Sequence, residues 1–324
     1  MFTPNLRPMW GHPGASATRN GGNPLPSVIR LQPKTLQPKT LHLKIWTFKE
    51  TLMFAKINHM AICSPNWPMM ARFYEAIFGL QASEKRKTRP ISGANIGDGY
   101  VGLNINPVRD GYVGGLDHFG MTVDDVNVVM ERARKNFPES NIVKRPSTRP
   151  FAAYSAHDPD GNVFDLAEQN KTALDGIYAD QTSEAPPPKR YLNKFAIRTM
   201  HAEKCADFYM EVFELEPLNK KTSVPGYHLT DGRVMLSILP WSIPVFEGMA
   251  IKRPGPDHLG FKVENIDALK KDIADVVGGC SYLAPMPMGG AKESDVRKAL
   301  LAKSSTGKYQ LTDPCGVWID VTDE

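Results

Sequence analysis

Histidine recurs in this chain where strands open. HMAI at 59, HFGM at 118 and HLGF at 258 share one pattern, and KFAI at 194 repeats it with lysine in place of the imidazole. Near neutral pH an imidazole can take up or release a proton, or ligate a metal. A single strand histidine is more often a hydrogen-bonded core residue, so it is the repetition that points to chemistry. Two later repeats, DPDGNVFDL at 158–166 and DPCGVWIDV at 313–321, each place an acid after a turn, Asp165 and Asp320. Arg145 and Arg149 stand in KRPSTRPF, where either guanidinium could clamp an anionic substrate through paired hydrogen bonds. A solvated loop is the plainer reading of the same two residues. His157, ahead of the Asp158 turn, is a candidate acid–base group, with an ordinary turn histidine as the alternative.

The elements that must position these groups can be read from periodicity. Lys56–Ile62 alternates as a strand, Pro65–Pro68 marks a turn, and Met69–Phe78 repeats at helical spacing along Met69, Phe73 and Ile77. Gly79 supplies a stop. Strands are expected at Tyr100–Asn106, Leu116–Val123, Phe151–Ala156 and Asn162–Ala167, with a helix at Val126–Phe137 and a turn at Asp158–Gly161.

The same order then repeats. LNKFAI at 192–197 echoes INHMAI at 57–62, ADFYMEVFEL at 206–215 echoes ARFYEAIFGL at 71–80, and PDHLGFKV at 256–263 echoes LDHFGMTV at 116–123. Each half divides again at its strand openings, so the body reads as four strand–helix–strands units. The expected divisions are an N-terminal extension over 1–52, a first domain over 53–170, a linker over 171–190 ending in three prolines, and a second domain over 191–324.

Composition bounds the function. The chain has 324 residues, 41% hydrophobic and 23% charged, enough for about two domains of ordinary size. The net charge of +4 is misleading: residues 1–52 hold seven basic side chains and one acid, and the remainder is slightly acidic. With no overall positive field on the body, nucleic acid is not an expected partner, and no apolar run is long enough to span a membrane. Four scattered cysteines without a CxxC pair argue against a zinc ribbon and against a disulfide framework. A reducing compartment is the default, so a cytoplasmic location is expected. Residues 1–52, with seven prolines and a tandem LQPKT, are expected to be disordered. An upstream start, with Met53 as the working beginning, is the plainer account of them, and organelle targeting is the alternative.

With NHMAI, FYEAIFGL, DHFGMTVDDV, DPDGNVFDL and their second copies in view, the chain resembles the vicinal oxygen chelate superfamily. That superfamily includes glyoxalase I, extradiol dioxygenases, methylmalonyl-CoA epimerase, fosfomycin-resistance enzymes and metal-free bleomycin-binding proteins. The resemblance covers nearly everything from residue 54 to the C-terminus. It implies an α+β fold of four βαβββ modules, paired into two tandem domains, each a curved mixed sheet forming an open barrel-like cup. It also implies metal ligands at His59, His118 and Asp165, with Asp165 where the family usually has glutamate. Glu168 is the rival carboxylate, but three residues along a strand faces the other way. Two imidazoles and a carboxylate leave open positions for substrate and O₂ or water, as in non-haem Fe(II) sites. One divalent ion is therefore expected, Fe(II) first, with Mn(II), Co(II), Ni(II) or Zn(II) as alternatives.

In the second half Lys194 replaces the first histidine while His258 and Asp320 remain. A charged ammonium has no lone pair for a metal, so this half is expected to be structural or substrate-shaping, with Lys194 paired to Asp320. Extradiol relatives would place the metal in the C-terminal half, the reverse of this arrangement. They also carry an active-site tyrosine near the place of Tyr154, eleven residues before Asp165, where a phenol could donate a proton or a hydrogen bond. Glyoxalase-like members need a carboxylate where this chain has Gly102. The expected function is a metal-dependent enzyme acting on a small molecule chelated through adjacent oxygens, of extradiol dioxygenase type. A lyase or isomerase and a metal-free binding protein are the alternatives, and a homodimer is the expected assembly.

Overall fold

β1 (Ala55–Ser64) shows how the sequence builds the first sheet. Met60 and Ile62 pack into the hydrophobic core on one side, while His59 and Ala61 are buried on the other. A strand in the middle of a sheet with both faces covered is built this way. The computed structural model describes residues 54–82, 93–146, 151–168, 188–218, 222–241, 254–290 and 292–324. The N-terminal extension, nearly all of the linker and Arg149 lie outside the described residues.

After β1 come α1 (Trp67–Phe78), β2 (Ala94–Gly97), β3 (Gly102–Pro107), β4 (Gly115–Val123), α2 (Val126–Asn136), β5 (Ile142–Lys144), β6 (Tyr154–His157) and β7 (Val163–Glu168). The second half runs β8 (Tyr191–Thr199), α3 (Ala202–Phe213), β9 (Glu216–Pro217), β10 (Tyr227–Thr230), β11 (Met235–Pro240), β12 (Gly255–Lys262), α4 (Ile266–Gly279), α5 (Lys292–Ser304), β13 (Tyr309–Thr312) and β14 (Trp318–Thr322). Among the described residues the strands form two seven-stranded mixed sheets, ordered β2-β3-β1-β4-β7-β6-β5 and β13-β14-β12-β8-β11-β10-β9. In each, the opening strands of two modules pair antiparallel at the centre, β1 with β4 and β8 with β12. The fold is the expected α+β arrangement, its sheets curved and open. No described helix is long and apolar enough to cross a membrane.

Two local readings shift. α1 begins at Trp67, with Pro68 in its first turn, where a missing N–H costs nothing. Its buried stripe is Met70, Phe73, Tyr74, Ile77 and Phe78, one residue round from the expected line through Met69. Gly79 closes the helix at φ 72°, and Glu214 closes α3 in the same left-handed geometry at φ 59°.

The halves are joined by matched contacts. Phe78 stacks on Phe261 at 3.9 Å between ring centres, and Phe119 lies 5.0 Å from Phe195. Asp98 and Asp231, each at a turn, accept their own turn N–H groups on Oδ1 and reach across on Oδ2, to Leu192 N at 2.9 Å and Ile57 N at 2.7 Å. Tyr74 donates to Asp313 across the halves at 3.1 Å, and Tyr209 to Asp158 at 3.3 Å. Each aspartate thus settles buried backbone donors and ties one half to the other, which is how a buried carboxylate is made tolerable.

Candidate metal centre

A single row of residues crosses five strands of the first sheet: Gly102 on β3, His59 on β1, Gly120 on β4, Asp165 on β7 and Ser155 on β6. Neighbours in such a row share a face. This face is the one turned away from the core helices, since Met60, Leu103, Phe119 and Phe164 occupy the other. His118 joins it one step along, paired with Ala61, which in turn pairs with Asn104. Gly120 makes the row workable: a Cβ there would lie 1.9 Å from His59 Cε1. The glycine leaves the space the imidazole fills.

Three side chains converge. His118 Nε2 lies 3.3 Å from Asp165 Oδ2 and His59 Nε2 lies 3.6 Å from it, and the three potential ligand atoms all fall within 4.8 Å of one another. His59 is fully buried and Asp165 nearly so. Both rings are held by the residue just before them, His59 Nδ1 by Asn58 Oδ1 at 2.8 Å and His118 Nδ1 by Asp117 Oδ2 at 2.6 Å. Adjacent strand residues normally point to opposite faces. The β1–β4 register slips at both Asn58 and Asp117, and a β-bulge is the device that re-aims a side chain in this way. With each Nδ1–H donated outward, Nε2 faces inward and offers a lone pair whenever it carries no proton.

The electrostatics suit a cation. Burial drives the His59 pKa below its ordinary value, so this ring is neutral. Burial also opposes charge on Asp165 and His118, but the hydrogen bonds of His118 to Asp117 and to Asp165 outweigh it. The Asp165 carboxyl is held well below the usual range and the His118 imidazolium is pushed up to about 9. The residues present fit a divalent ion. His59 Nε2 is buried without a hydrogen-bond partner among the described residues, and two neutral-capable imidazoles with one monodentate carboxylate oxygen are a common donor set. The other oxygen of Asp165 accepts from Arg145, which β5 and β6 bring to the same face.

The remaining expected site residues are placed differently. Tyr154 pairs with Leu166, one step off the Asp165 row, so its ring packs against the core on the opposite face. His157 is engaged by Asn141 N on one nitrogen and by the Asp158 carbonyl on the other, away from the cluster. Gly102 lies beside His59, as expected, and offers no carboxylate. Glu168 is on the core-facing parity of β7, three residues past Asp165. Sequence reasoning missed Phe151, whose ring meets His59 edge-on at 5.4 Å. It also missed Asn58, Asp117 and Gly120, although the repeated DH and N-H/K pairs and the repeated glycine in HFGM and HLGF were a signal for them.

The second sheet repeats the row with different chemistry: Met235, Lys194, Gly260, Asp320, Gln310. Lys194 Nζ donates to Asp320 and lies 3.5 Å from His258 Nε2. Thr306 N and Gly307 N donate to Asp320 as well, each at 3.0 Å to Oδ2. Burial works against the Asp320 carboxylate, but the Lys194 charge and these donors hold its pKa below the usual range.

Two histidines and an acid meeting on the face of one curved mixed sheet are the arrangement that the resemblance to the vicinal oxygen chelate superfamily implies. Residues 56–166 match the Glyoxalase/Bleomycin resistance protein/Dioxygenase superfamily. No curated protein matches the chain significantly. Among solved structures it is similar to a Mn(II)-bound glyoxalase from Novosphingobium aromaticivorans, at 12% identity and TM-score 0.54, covering 84% of this chain and 83% of that one. It is similar also to a mutant 4-hydroxymandelate synthase from Streptomyces coelicolor, at 13% identity and TM-score 0.52, covering 82% and 91%. A catechol 2,3-dioxygenase aligns at 14% identity and TM-score 0.50, covering 83% and 92%. At such identities the likeness is one of fold.

Proposed function

We propose that the protein is a metal-dependent enzyme whose centre lies in the first sheet, with His59, His118 and Asp165 holding one divalent ion. The observation that carries the reading is the convergence of the two Nε2 atoms on Asp165 Oδ2, with His59 Nε2 buried and otherwise unpartnered among the described residues. A bound ion would act as a Lewis acid on a substrate presenting adjacent oxygens, lowering the pKa of a substrate hydroxyl. The chain's own residues then do the rest. Asn58 and Asp117 fix the ring orientations, and Phe151 closes one side of His59 against water. Arg145 keeps one oxygen of Asp165 occupied, and its partly exposed guanidinium is placed to meet an anionic group on the substrate.

The reaction we favour is extradiol-type oxygenation with Fe(II). One observation favours an O₂-independent lyase or isomerase as the second reading: Arg145 draws charge from Asp165, which makes a bound ion a better Lewis acid and a poorer electron donor. Oxygen separates the two. Protein prepared anaerobically and loaded with Fe(II) or Mn(II) is offered catechols with and without O₂, beside His59→Ala. About one metal per chain, lost in the variant, with O₂ consumed in step with substrate, is the expected result. Turnover under nitrogen would move the assignment to the lyase or isomerase. A wild-type chain that takes up none of Fe(II), Mn(II), Co(II), Ni(II) or Zn(II) would leave a metal-free binding protein as the account.

A further inference from the structure

The second sheet keeps the fittings of a metal centre that its row does not use. Asp257 holds His258 Nδ1 at 2.7 Å, as Asp117 holds His118. The β8–β12 register slips at Asp257 and at Asn193, the same places where β1–β4 slips at Asp117 and Asn58. Asn193 corresponds to Asn58, and its Oδ1 is buried with no hydrogen-bond partner among the described residues, because Lys194 has no ring N–H to give it. Gly260 leaves room beside position 194 as Gly120 does beside His59: a Cβ at Gly260 would lie 2.5 Å from Lys194 Cβ. The bulges, the orienting acid, the histidine, the carboxylate and the small residue are all present.

We propose that Lys194 is a built-in cation standing in place of a metal ion, and that the second sheet is a latent metal centre whose three ligand positions differ from those of the first sheet only at that side chain. Its ammonium reaches both groups that would ligate, Asp320 and His258 Nε2. Because the positive charge is covalently attached, this half neutralises Asp320 without recruiting an ion. Replacing Lys194 by histidine would give Asn193 Oδ1 its missing donor and point a second Nε2 at Asp320, which keeps its contacts to Thr306 N and Gly307 N.

The test is metal stoichiometry by Co(II) titration of the full chain, read from the visible absorption of bound Co(II). Wild type, His59→Ala, Lys194→His and the double variant are expected to bind one, none, two and one ion per chain. A folded double variant that binds none overturns the proposal. If instead wild type binds none while Lys194→His binds one, the latent site stands and it is the metal reading of the first sheet that fails. Should Lys194→His not fold, thermal melts decide. Lys194→Met should lower the melting temperature, and adding Asp320→Asn should restore most of the loss, since the carboxylate then needs no counter-ion. Losses that simply add would show that Lys194 is not the charge partner of Asp320.

Discussion

Replacing Gly120 by alanine tests the whole construction of the site with one methyl group. The added Cβ would lie 1.9 Å from His59 Cε1, 2.4 Å from Nδ1 and 2.7 Å from Nε2. Carbon atoms in contact settle at about 3.5–4.0 Å, so the ring must retreat by roughly 1.5 Å. It has little room. His59 is fully buried, with Phe151 and His118 edge-on at ring-centre distances of 5.4 and 5.7 Å. Retreat also breaks the bond to Asn58. Overpacking costs about 1–3 kcal/mol and the lost hydrogen bond about 0.5–1.5 kcal/mol, so the variant should be destabilised by about 2–4 kcal/mol. Metal–nitrogen bonds near 2.0–2.1 Å tolerate only about 0.2 Å of error, so the same movement removes a ligand. Loss of an orienting partner alone costs about 10–100-fold in metal affinity, and loss of the ligand should reach the upper end of that or beyond. Urea denaturation and Co(II) titration read the two effects. Gly278→Ala, in α4 with nothing within 4 Å of the new Cβ, is the control, expected to bind metal as wild type does and to gain about 0.5–1 kcal/mol. In a His59→Ala background the Gly120→Ala change should become nearly neutral, because the atoms it strikes are gone. A Gly120→Ala protein with wild-type stability and wild-type metal affinity would refute the placement of His59.

Two further outcomes rest on the ties between the halves. Burial pushes the Asp313 carboxyl up to about 7, so between about pH 4 and 7 the folded chain keeps a proton there that the unfolded chain releases. Stability therefore falls as pH rises through that window, by up to about 4 kcal/mol from this group. Urea denaturation at pH 5 and 7.5 should show that part of the fall missing in Asp313→Asn, and parallel pH dependences in the two proteins would count against a protonated Asp313. Tyr209→Phe removes the hydroxyl that bonds Asp158 across the halves and should cost about 1 kcal/mol by the same assay, with metal binding unaltered.

The legible part of this protein is the part its duplication exposes. Residues repeated in all the modules answer to the fold: the aspartates at 98, 158, 231 and 313 close turns and cross between halves, and the tyrosines at 74 and 209 meet two of them. The meeting of His59, His118 and Asp165 was readable from the resemblance, with strand parity choosing Asp165 over Glu168. Tyr154 was not, for a physical reason. Its face depends on the register of the β6–β7 hairpin, which the loop closed by Asp158 N on the Asn162 carbonyl sets, and a slip of one residue exchanges the faces. The loop puts Ser155, not Tyr154, opposite Asp165. Asn58 and Asp117 escaped for the complementary reason, since strict alternation turns them away from the histidines they hold and only a bulge brings them back. The comparison of halves then separates the two demands on the chain. Both sheets retain the bulges, the glycine beside the ligand position and the acid that orients the second histidine, yet one of the three ligand positions differs and with it the charge. Backbone devices are shared through many contacts and cannot be lost singly without cost to the sheet. A ligand is one side chain, and once an ammonium satisfies the carboxylate the sheet no longer needs an ion.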